Sequence, residues 1–276
     1  MKHLVGRPCR PRIVLSILAA VALAACGGGS SGGSAPQGPQ RVALHFEARV
    51  TGNPFACGQT YGPIGLTGAT IEPSDLRLYV SRFRLINEDG EEVPVELDQD
   101  GTWQLEDLAL LDFEDGTALC TLQGNAETNT SVRGTVPAGS YRGVRFTIGV
   151  PFERNHGDAA TAPAPLQNTA MFWNWNAGYK FIRYDNMVGS SATEFRLHVG
   201  STGCDGDGRG NVTGCANPNR AEVELLDFDP DRDAIAAELS SLFADVAAEE
   251  NTPTTPPCVA TCWQKSTGPG AWSCWG

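Results

Sequence analysis

The chain has 276 residues, of which 41% are hydrophobic and 19% are charged. This length fits one large domain with a substantial hydrophobic core. The 32 acidic residues outnumber the 20 basic ones and give a formal net charge of −12. That charge argues against nucleic acid as a partner, because phosphates require a basic surface. The only long apolar run is at the N-terminus, which excludes a polytopic membrane protein.

Residues 1–25 have the pattern of a bacterial lipoprotein signal peptide. Basic residues precede the apolar run Ile13–Ala25, which is too short to span a bilayer permanently. We expect Cys26, which follows Leu-Ala-Ala, to become the lipidated first residue of the mature chain. The alternative is an ordinary cleaved signal peptide with an incidental cysteine. Because Gly27 rather than Asp follows Cys26, we expect anchoring to the outer membrane of the cell envelope, facing the periplasm or the exterior, through the lipid alone.

Three further segments follow the signal peptide. Residues 26–40 are rich in Gly and Ser and are predicted to be a flexible tether. Residues 41–248 are predicted to be one β-rich domain. Residues 249–276 combine a Pro/Thr linker with a tail rich in Cys and Trp.

The cysteines beyond Cys26 predict disulfide bonds, because an exported chain meets an oxidising compartment. Cys204 and Cys215 bracket a turn-rich loop, and Cys57 and Cys120 are the natural long-range pair. The tail supplies one further bridge and one spare thiol from three cysteines, with the connectivity left open: Cys258, Cys262 and Cys274. A zinc site in the tail is less favoured, since no fourth ligand is nearby.

Many short segments alternate between apolar and polar residues and are separated by Gly-, Asp- and Pro-containing turns, which is typical of strands. We predict strands at Arg41–Val50, Asp75–Ile86, Val93–Asp98, Ala109–Phe113, Ser131–Val136, Arg142–Val150, Tyr179–Tyr184, Glu194–Gly200 and Ala221–Phe228. The predicted fold is all-β and sandwich-like, with disulfide-stapled loops. One short C-terminal helix is predicted, because apolar residues recur at helical spacing from Ile235 to Val246 after the capping sequence at Asp229.

Three histidines remain after removal of the signal peptide, and each is weighed as a metal ligand. His198 and His45 are on the polar faces of predicted strands, and His156 is in a loop. For any single histidine, a surface or hydrogen-bonded role is more common than ligation.

The segment from Met171 to Phe181 is unusually rich in aromatic residues. If it is a strand, Met171, Trp173 and Trp175 share one face. These side chains are interpreted as a core tryptophan pair, as a carbohydrate-stacking platform, or as a soft-metal environment in which thioether and imidazole together favour Cu(I).

Other chemistry has weaker support. The loop from Asp205 to Gly208 has a hint of a structural calcium site, although the Cys204–Cys215 bridge explains it without a metal. No hydrolase, zinc-protease or phosphate-loop motif is present. Asp112 and Glu114 could form the acid pair of a glycosidase, but carboxylates are so frequent in this sequence that such a pair is not informative. We therefore predict that the protein is not an enzyme.

Six motifs lie in collinear order between about Arg41 and Asp229. They are Pro54-Phe55-Ala56-Cys57-Gly58, Asp75-Leu76-Arg77-Leu78-Tyr79-Val80-Ser81, Leu110-Leu111-Asp112-Phe113-Glu114-Asp115-Gly116, Phe146-Thr147-Ile148-Gly149-Val150-Pro151-Phe152 with Asn155-His156, Met171-Phe172-Trp173-Asn174-Trp175 with Gly178-Tyr179-Lys180-Phe181, and His198-Val199-Gly200-Ser201-Thr202-Gly203-Cys204. Together they resemble the MbnP-like, or metallo-mystery pair four-Cys motif, family, which is related to exported copper-binding proteins of methane-oxidising bacteria.

The resemblance implies a mostly β fold and a mononuclear copper site that binds Cu(I). It also implies a di-haem partner, similar to cytochrome c peroxidase or MauG, that oxidises a tryptophan to kynurenine. Mapped motif by motif, it assigns His156 and His198 as copper-binding histidines and Trp173 or Trp175 as the candidate for oxidation.

The chain departs from the family pattern at one position. Many relatives carry a histidine near Met171, where this chain has Phe172. If that histidine is a ligand, this protein binds copper weakly, uses a different ligand set or does not bind it, and His45 is a substitute only if the fold brings its strand close. The leading interpretation is a copper-binding envelope lipoprotein for copper acquisition or handling. The alternative is an envelope module that binds carbohydrate or another protein without a metal.

Overall fold

The computed structural model describes residues 38–122, 124–189, 193–249, 261–266 and 273–275. Strands dominate these ranges, and the helices are short, so the all-β prediction is confirmed. No helix within these ranges is long and apolar enough to cross a membrane. The predicted signal peptide, Cys26 and most of the tether are outside the described residues.

The described strands form two large sheets and one separate hairpin. The first sheet has seven described strands: β1 (Gln40–Val50), β2 (Asn53–Pro54), β6 (Glu96–Leu97), β9 (Ser131–Val136), β17 (Ala234–Glu238), β18 (Thr261–Lys265) and β19 (Ser273–Trp275). The second has ten: β3 (Tyr61–Ile64), β4 (Ala69–Asn87), β5 (Glu92–Pro94), β7 (Gln104–Leu105), β8 (Leu108–Asp112), β10 (Tyr141–Ile148), β11 (Phe172–Asn174), β12 (Gly178–Val188), β13 (Thr193–Gly200) and β16 (Ala221–Leu226). The hairpin joins β14 (Thr202–Gly206) to β15 (Val212–Asn217).

The main core is made by the inward faces of the two sheets. On β1, Leu44 and Phe46 are buried while the intervening His45 is exposed, as period-two alternation requires. Phe46 packs edge-on against Phe146 of β10, and Trp263 of β18 contacts both rings. Aromatic side chains from both sheets therefore hold the layers together.

A second apolar cluster covers the opposite face of the ten-stranded sheet. Tyr79 of β4 and Tyr179 of β12 are fully buried there and contact each other edge to face. The connection between β10 and β11 covers them, and its residues Leu166 and Pro165 accept hydrogen bonds from the two tyrosine hydroxyls. This connection includes a one-turn helix, α1 (Phe152–Asn155), and a 3-10 turn at Thr169–Met171. The sheet face that contains the candidate site is thus shielded from solvent.

The predicted C-terminal helix is wrong in its first half. Ala234–Glu238 forms β17, parallel to β1, and only Leu239–Phe243 is helical, as a 3-10 turn. The apolar residues of this segment are still buried. Ile235 and Ala237 point into the core from the strand, and Leu242 and Phe243 point into it from the 3-10 turn. Pairing with β1 outweighs the local helical pattern.

Two disulfide bonds are present among the described residues, Cys57–Cys120 and Cys204–Cys215, the pairs that the spacing favours. Cys258 is outside the described residues. The backbone places Cys262 of β18 opposite Cys274 of β19.

Candidate metal centre

A row of ionisable residues crosses four neighbouring strands on the covered face of the ten-stranded sheet. The register pairs Asp112 of β8 with Arg77 of β4, Arg77 with Arg183 of β12, and Arg183 with His198 of β13. Asp75 and Asp185 occupy the next row and are paired with each other. All of these side chains except His198 are buried, so the charges of those that are ionised interact without much screening by water.

The acidic and basic groups of this face form one connected network. Arg77 Nε donates to Asp75 Oδ1 at 2.8 Å, and Arg183 Nε lies 3.0 Å from Asp75 Oδ2 and 2.9 Å from Asp185 Oδ2. His198 Nε2 is 2.7 Å from Asp185 Oδ1, with 20% of its side chain exposed. The network therefore runs from the buried sheet centre to a histidine that reaches solvent.

The electrostatics keep Asp185 ionised. Burial alone would raise its pKa, but the hydrogen bond from His198 and the charge and hydrogen bond of Arg183 lower the pKa below its usual value. A carboxylate can only accept hydrogen bonds, so the His198 ring nitrogen facing it is a donor. No described residue is hydrogen-bonded to the other ring nitrogen, Nδ1.

His156 follows α1 and is held by contacts to both ring nitrogens. Its Nδ1 is 3.3 Å from the Trp175 carbonyl oxygen, and its Nε2 is 3.2 Å from the Asn155 amide nitrogen. Because a carbonyl only accepts, Nδ1 carries the proton and Nε2 has the lone pair. Burial lowers the pKa of His156, so the ring is neutral at pH 7, the state required of a metal ligand.

The tryptophan segment contacts the surroundings of both histidines. The tip of the Trp173 ring packs on Gly200, two residues beyond His198, so closely that a Cβ there would lie 2.5 Å from Trp173 Cζ3. The Trp175 ring packs on Gly210, next to the His156 carbonyl, and 37% of Trp175 is exposed. The segment therefore connects the strand of His198 to His156.

The predicted continuous strand through this segment is not observed. Met171 ends a 3-10 turn, Phe172–Asn174 form β11, and Trp175 is in the following turn. Met171 is fully buried in the second apolar cluster, whereas Trp175 is exposed, so the two do not share a face. The turn at Asn174 is the reason, because its side chain caps the amides of Asn176 and Ala177.

Phe172, at the position of the expected histidine, is part of an aromatic contact. Its ring centroid is 5.0 Å from that of Tyr179 and 6.5 Å from that of Trp175. Nearby, Lys180 Nζ donates to the Ala170 carbonyl at 2.7 Å, and burial together with the charge of Arg183 lowers the Lys180 pKa to about 8. The ring of Phe172 offers no ligand atom at this point.

His45 is remote from this region. It is on β1 of the other sheet, exposed on the solvent side, while its neighbours Leu44 and Phe46 point into the core. Its strand is not brought close to His156 or His198, so it does not serve as the substitute ligand.

The two half-buried sulfurs next to His156 belong to a disulfide. His156 Nε2 is 3.7 Å from Cys215 Sγ, and the ligand-type atoms of His156, Cys204 and Cys215 all lie within 4.8 Å of one another. Since the cysteines are bonded to each other, they offer no thiolate, and only the imidazole remains as a strong ligand. In the loop that they close, both Asp207 oxygens accept hydrogen bonds from Arg209 and Asn211, which explains the loop without calcium.

Sequence reasoning missed two residues that hold the histidines. Asp185 is next to a predicted strand and Asn155 precedes His156, yet only the cross-strand register and the turn after α1 bring them into contact. The available signal was the buried-face position of Asp185, where a carboxylate requires a partner.

The fold and site define a class of all-β proteins with two large sheets, disulfide-linked loops and two histidines that flank a tryptophan pair. A family model described as MbnP matches residues 39–262, and the chain therefore belongs to the MbnP family. Among solved structures, MbnP from Methylosinus trichosporium is similar with a TM-score of 0.70 and 30% sequence identity, covering 80% of this chain and 83% of that one. No curated protein matches.

Proposed function

We propose that this protein is a non-enzymatic envelope lipoprotein, anchored through Cys26, that binds one Cu(I) ion for copper acquisition or handling. Membership of the MbnP family supports the proposal. The observation that carries it is the pair of histidines at opposite ends of the Trp173–Trp175 segment, one of them with a ring nitrogen that has no hydrogen-bond partner among the described residues.

The residues present fit copper. Neutral imidazole nitrogens suit copper ions, and the Asp185 carboxylate and the Trp175 carbonyl hold the two rings through their other nitrogens. His198 Nδ1 and His156 Nε2 are the lone-pair nitrogens that would hold the ion. His156 Nε2 accepts from the Asn155 amide, so this contact is replaced on binding.

The tryptophans supply the proposed link to a redox partner. We infer that a di-haem protein similar to cytochrome c peroxidase or MauG oxidises one of them to kynurenine with two equivalents of hydrogen peroxide, which leave as water. The indole C2–C3 bond is cleaved, each of the two carbons gains an oxygen atom, and hydrolysis releases the former C2 as formate. The aryl amine of kynurenine has a lone pair for a metal, which the indole N–H lacks. Trp175 is the first candidate because it is exposed and its backbone contacts His156. A metal-binding amine at Trp175 would compensate for the absence of a ligand atom at Phe172.

Titration of the exported full chain with Cu(I) against a competing chelator tests the function. We expect one tight equivalent, weakened at least tenfold in His198→Ala and in His156→Ala, because each removes one imidazole. His45→Ala is the matched control and is expected to bind like the unsubstituted protein. The chain is prepared with and without the coexpressed di-haem partner, and mass spectrometry of the tryptophan peptides reports oxidation.

Two results would contradict the proposal. One is the absence of a tight equivalent in both preparations; the other is equal binding by all three histidine variants. A fluorescence change of Trp175 with soluble glycans in the absence of copper would instead favour the carbohydrate-binding alternative, for which the exposed indole is the supporting observation.

A further inference from the structure

We infer that Asp185 is a positioning residue that fixes the tautomer of His198 and thereby selects Nδ1 as the copper-binding atom. The inference rests on the proposed function and adds to it the identity of the ligand nitrogen and the residue that determines it. Asp185 is buried, and both of its oxygens are engaged by protein groups. Asp185 therefore does not bind the metal itself and acts only by orienting the His198 imidazole.

The donor and acceptor roles of the pair follow from the hydrogen bonds that hold Asp185. The short contact of 2.7 Å between His198 Nε2 and Asp185 Oδ1 needs a proton between the two atoms. Asp185 is the acceptor, because Arg183, which can only donate, holds its other oxygen, so the proton is on Nε2. In a neutral imidazole the remaining nitrogen, Nδ1, then carries the lone pair that a metal requires.

Asp185 is held so that it cannot turn away from His198. Its other oxygen, Oδ2, accepts from Arg183 Nε at 2.9 Å, and Arg183 is held in turn by Asp75 and by the Ala170 carbonyl at 3.2 Å. Asp185 is 2% exposed and Arg183 3%, so water does not compete for these bonds. The orientation of the imidazole is therefore set by the buried network of the sheet.

The second ring nitrogen of His198, Nδ1, is open to a ligand. The His198 side chain is 20% exposed, and none of the described residues donates to or accepts from Nδ1. Carboxylate–histidine pairs of this kind orient the ring of metal-binding histidines and increase their basicity. The geometry leaves Nδ1 as the one ring atom of His198 that can bind a metal.

Replacement of Asp185 by Asn distinguishes this role from simple packing. Arg183 has only donors, so the oxygen of the new side-chain amide would stay on Arg183, and its NH2 group would face His198. Nε2 would then have to accept, and the proton would move to Nδ1. The isosteric change thus blocks the ligand nitrogen while keeping the side-chain shape.

The primary experiment is long-range 1H–15N NMR of the histidine rings in the metal-free, full chain. We expect the Nε2-protonated tautomer for His198 in the unsubstituted protein. The Nδ1-protonated tautomer would overturn the inference, and this measurement depends on no variant. Addition of Cu(I), which is diamagnetic, is expected to shift the Nδ1 resonance more than the Nε2 resonance; the reverse order would also overturn it.

The second experiment compares Asp185→Asn with Asp158→Asn. Asp158 is a matched control because its carboxylate caps Ala160 and makes no hydrogen bond to either histidine among the described residues. We expect Asp185→Asn to convert His198 to the Nδ1-protonated form and to weaken Cu(I) binding 10- to 100-fold. Asp158→Asn is expected to change neither.

The outcomes separate the inference from the function on which it rests. If the unsubstituted protein binds no Cu(I), the proposed function fails. The NMR measurement on the metal-free chain still tests whether Asp185 fixes the tautomer of His198. If it binds Cu(I) and a folded Asp185→Asn variant binds equally well with an unchanged tautomer, the inference fails and the function is retained.

Discussion

Asp112→Asn is expected to stabilise the protein at alkaline pH relative to the unsubstituted chain, and to lose this advantage in acid. Asp112 is fully buried, and its Oδ2 has no hydrogen-bond partner among the described residues. Burial, together with the nearby charges of Glu114 and Asp75, raises the pKa of Asp112 to about 8 despite the charge of Arg77. Ionisation of this group is therefore unfavourable in the folded state.

The sign of the effect follows from proton linkage. The folded state binds the Asp112 proton more tightly than the unfolded state, whose pKa is near 3.8. The stability from this protonated carboxyl is fully present below the unfolded pKa and is lost as the pH rises through the folded pKa of about 8. With about 1.4 kcal/mol per pH unit, we expect the free energy of unfolding of Asp112→Asn to gain roughly 6 kcal/mol on the unsubstituted protein across the whole interval from pH 3.8 to about 8. Denaturant unfolding at a series of pH values measures the difference.

Asp115→Asn is the control for this prediction. The Thr117 hydroxyl and amide donate to Asp115 and lower its pKa, so its contribution has the opposite sign and is lost in acid. Asp115→Asn should therefore become relatively less stable as the pH rises. Parallel profiles of unfolding free energy against pH for Asp112→Asn and the unsubstituted protein would contradict the prediction. They would show that folding does not raise the pKa of Asp112.

Gly200→Ala is expected to lower the free energy of unfolding by about 2 to 3 kcal/mol. A Cβ at this position would be 2.5 Å from Trp173 Cζ3 and 2.6 Å from the Tyr179 carbonyl oxygen. The indole can move, but the carbonyl belongs to β12 and is fixed by the sheet. Displacement of Trp173 should also weaken Cu(I) binding. Denaturant unfolding measures the loss of stability, and copper titration measures the loss of affinity.

Gly214→Ala provides the matched change without the clash. Gly214 is in β15, and a Cβ there meets no atom within 4 Å. We expect a neutral or slightly stabilising effect, because alanine restricts the unfolded chain. Equal stability of Gly200→Ala and Gly214→Ala would refute the close packing of Trp173 on β13.

Much of the fold could be predicted because each sheet has one buried face, which produces alternating residues along a strand. Ser131–Val136 is a strand over the predicted residues, and Arg41–Val50 differs from the observed strand by one residue. The segment after Asp229 escapes prediction because its strand depends on a parallel partner, β1, at residues far earlier in the chain. Such a long-range pairing leaves no local pattern to read.

The candidate site could be predicted only in part, for a similar reason. The motifs point to His156, His198 and the tryptophans, and the structure brings Trp175 to His156 and Trp173 to the strand of His198. The charges that orient His198 could not be inferred, because Asp185 and Asp75 become neighbours only through the register of β4 and β12. The remote position of His45 likewise follows from which sheet β1 joins.

X-ray absorption at the copper edge of the Cu(I)-loaded full chain tests the central claim most directly. We predict nitrogen scattering with the multiple-scattering pattern of imidazole, and the loss of one imidazole contribution in His198→Ala. Cys204 and Cys215 should contribute no sulfur ligand, because they are bonded to each other. A spectrum dominated by sulfur, with no imidazole contribution and no change in His198→Ala, would assign copper to thiols elsewhere in the chain and contradict the histidine site.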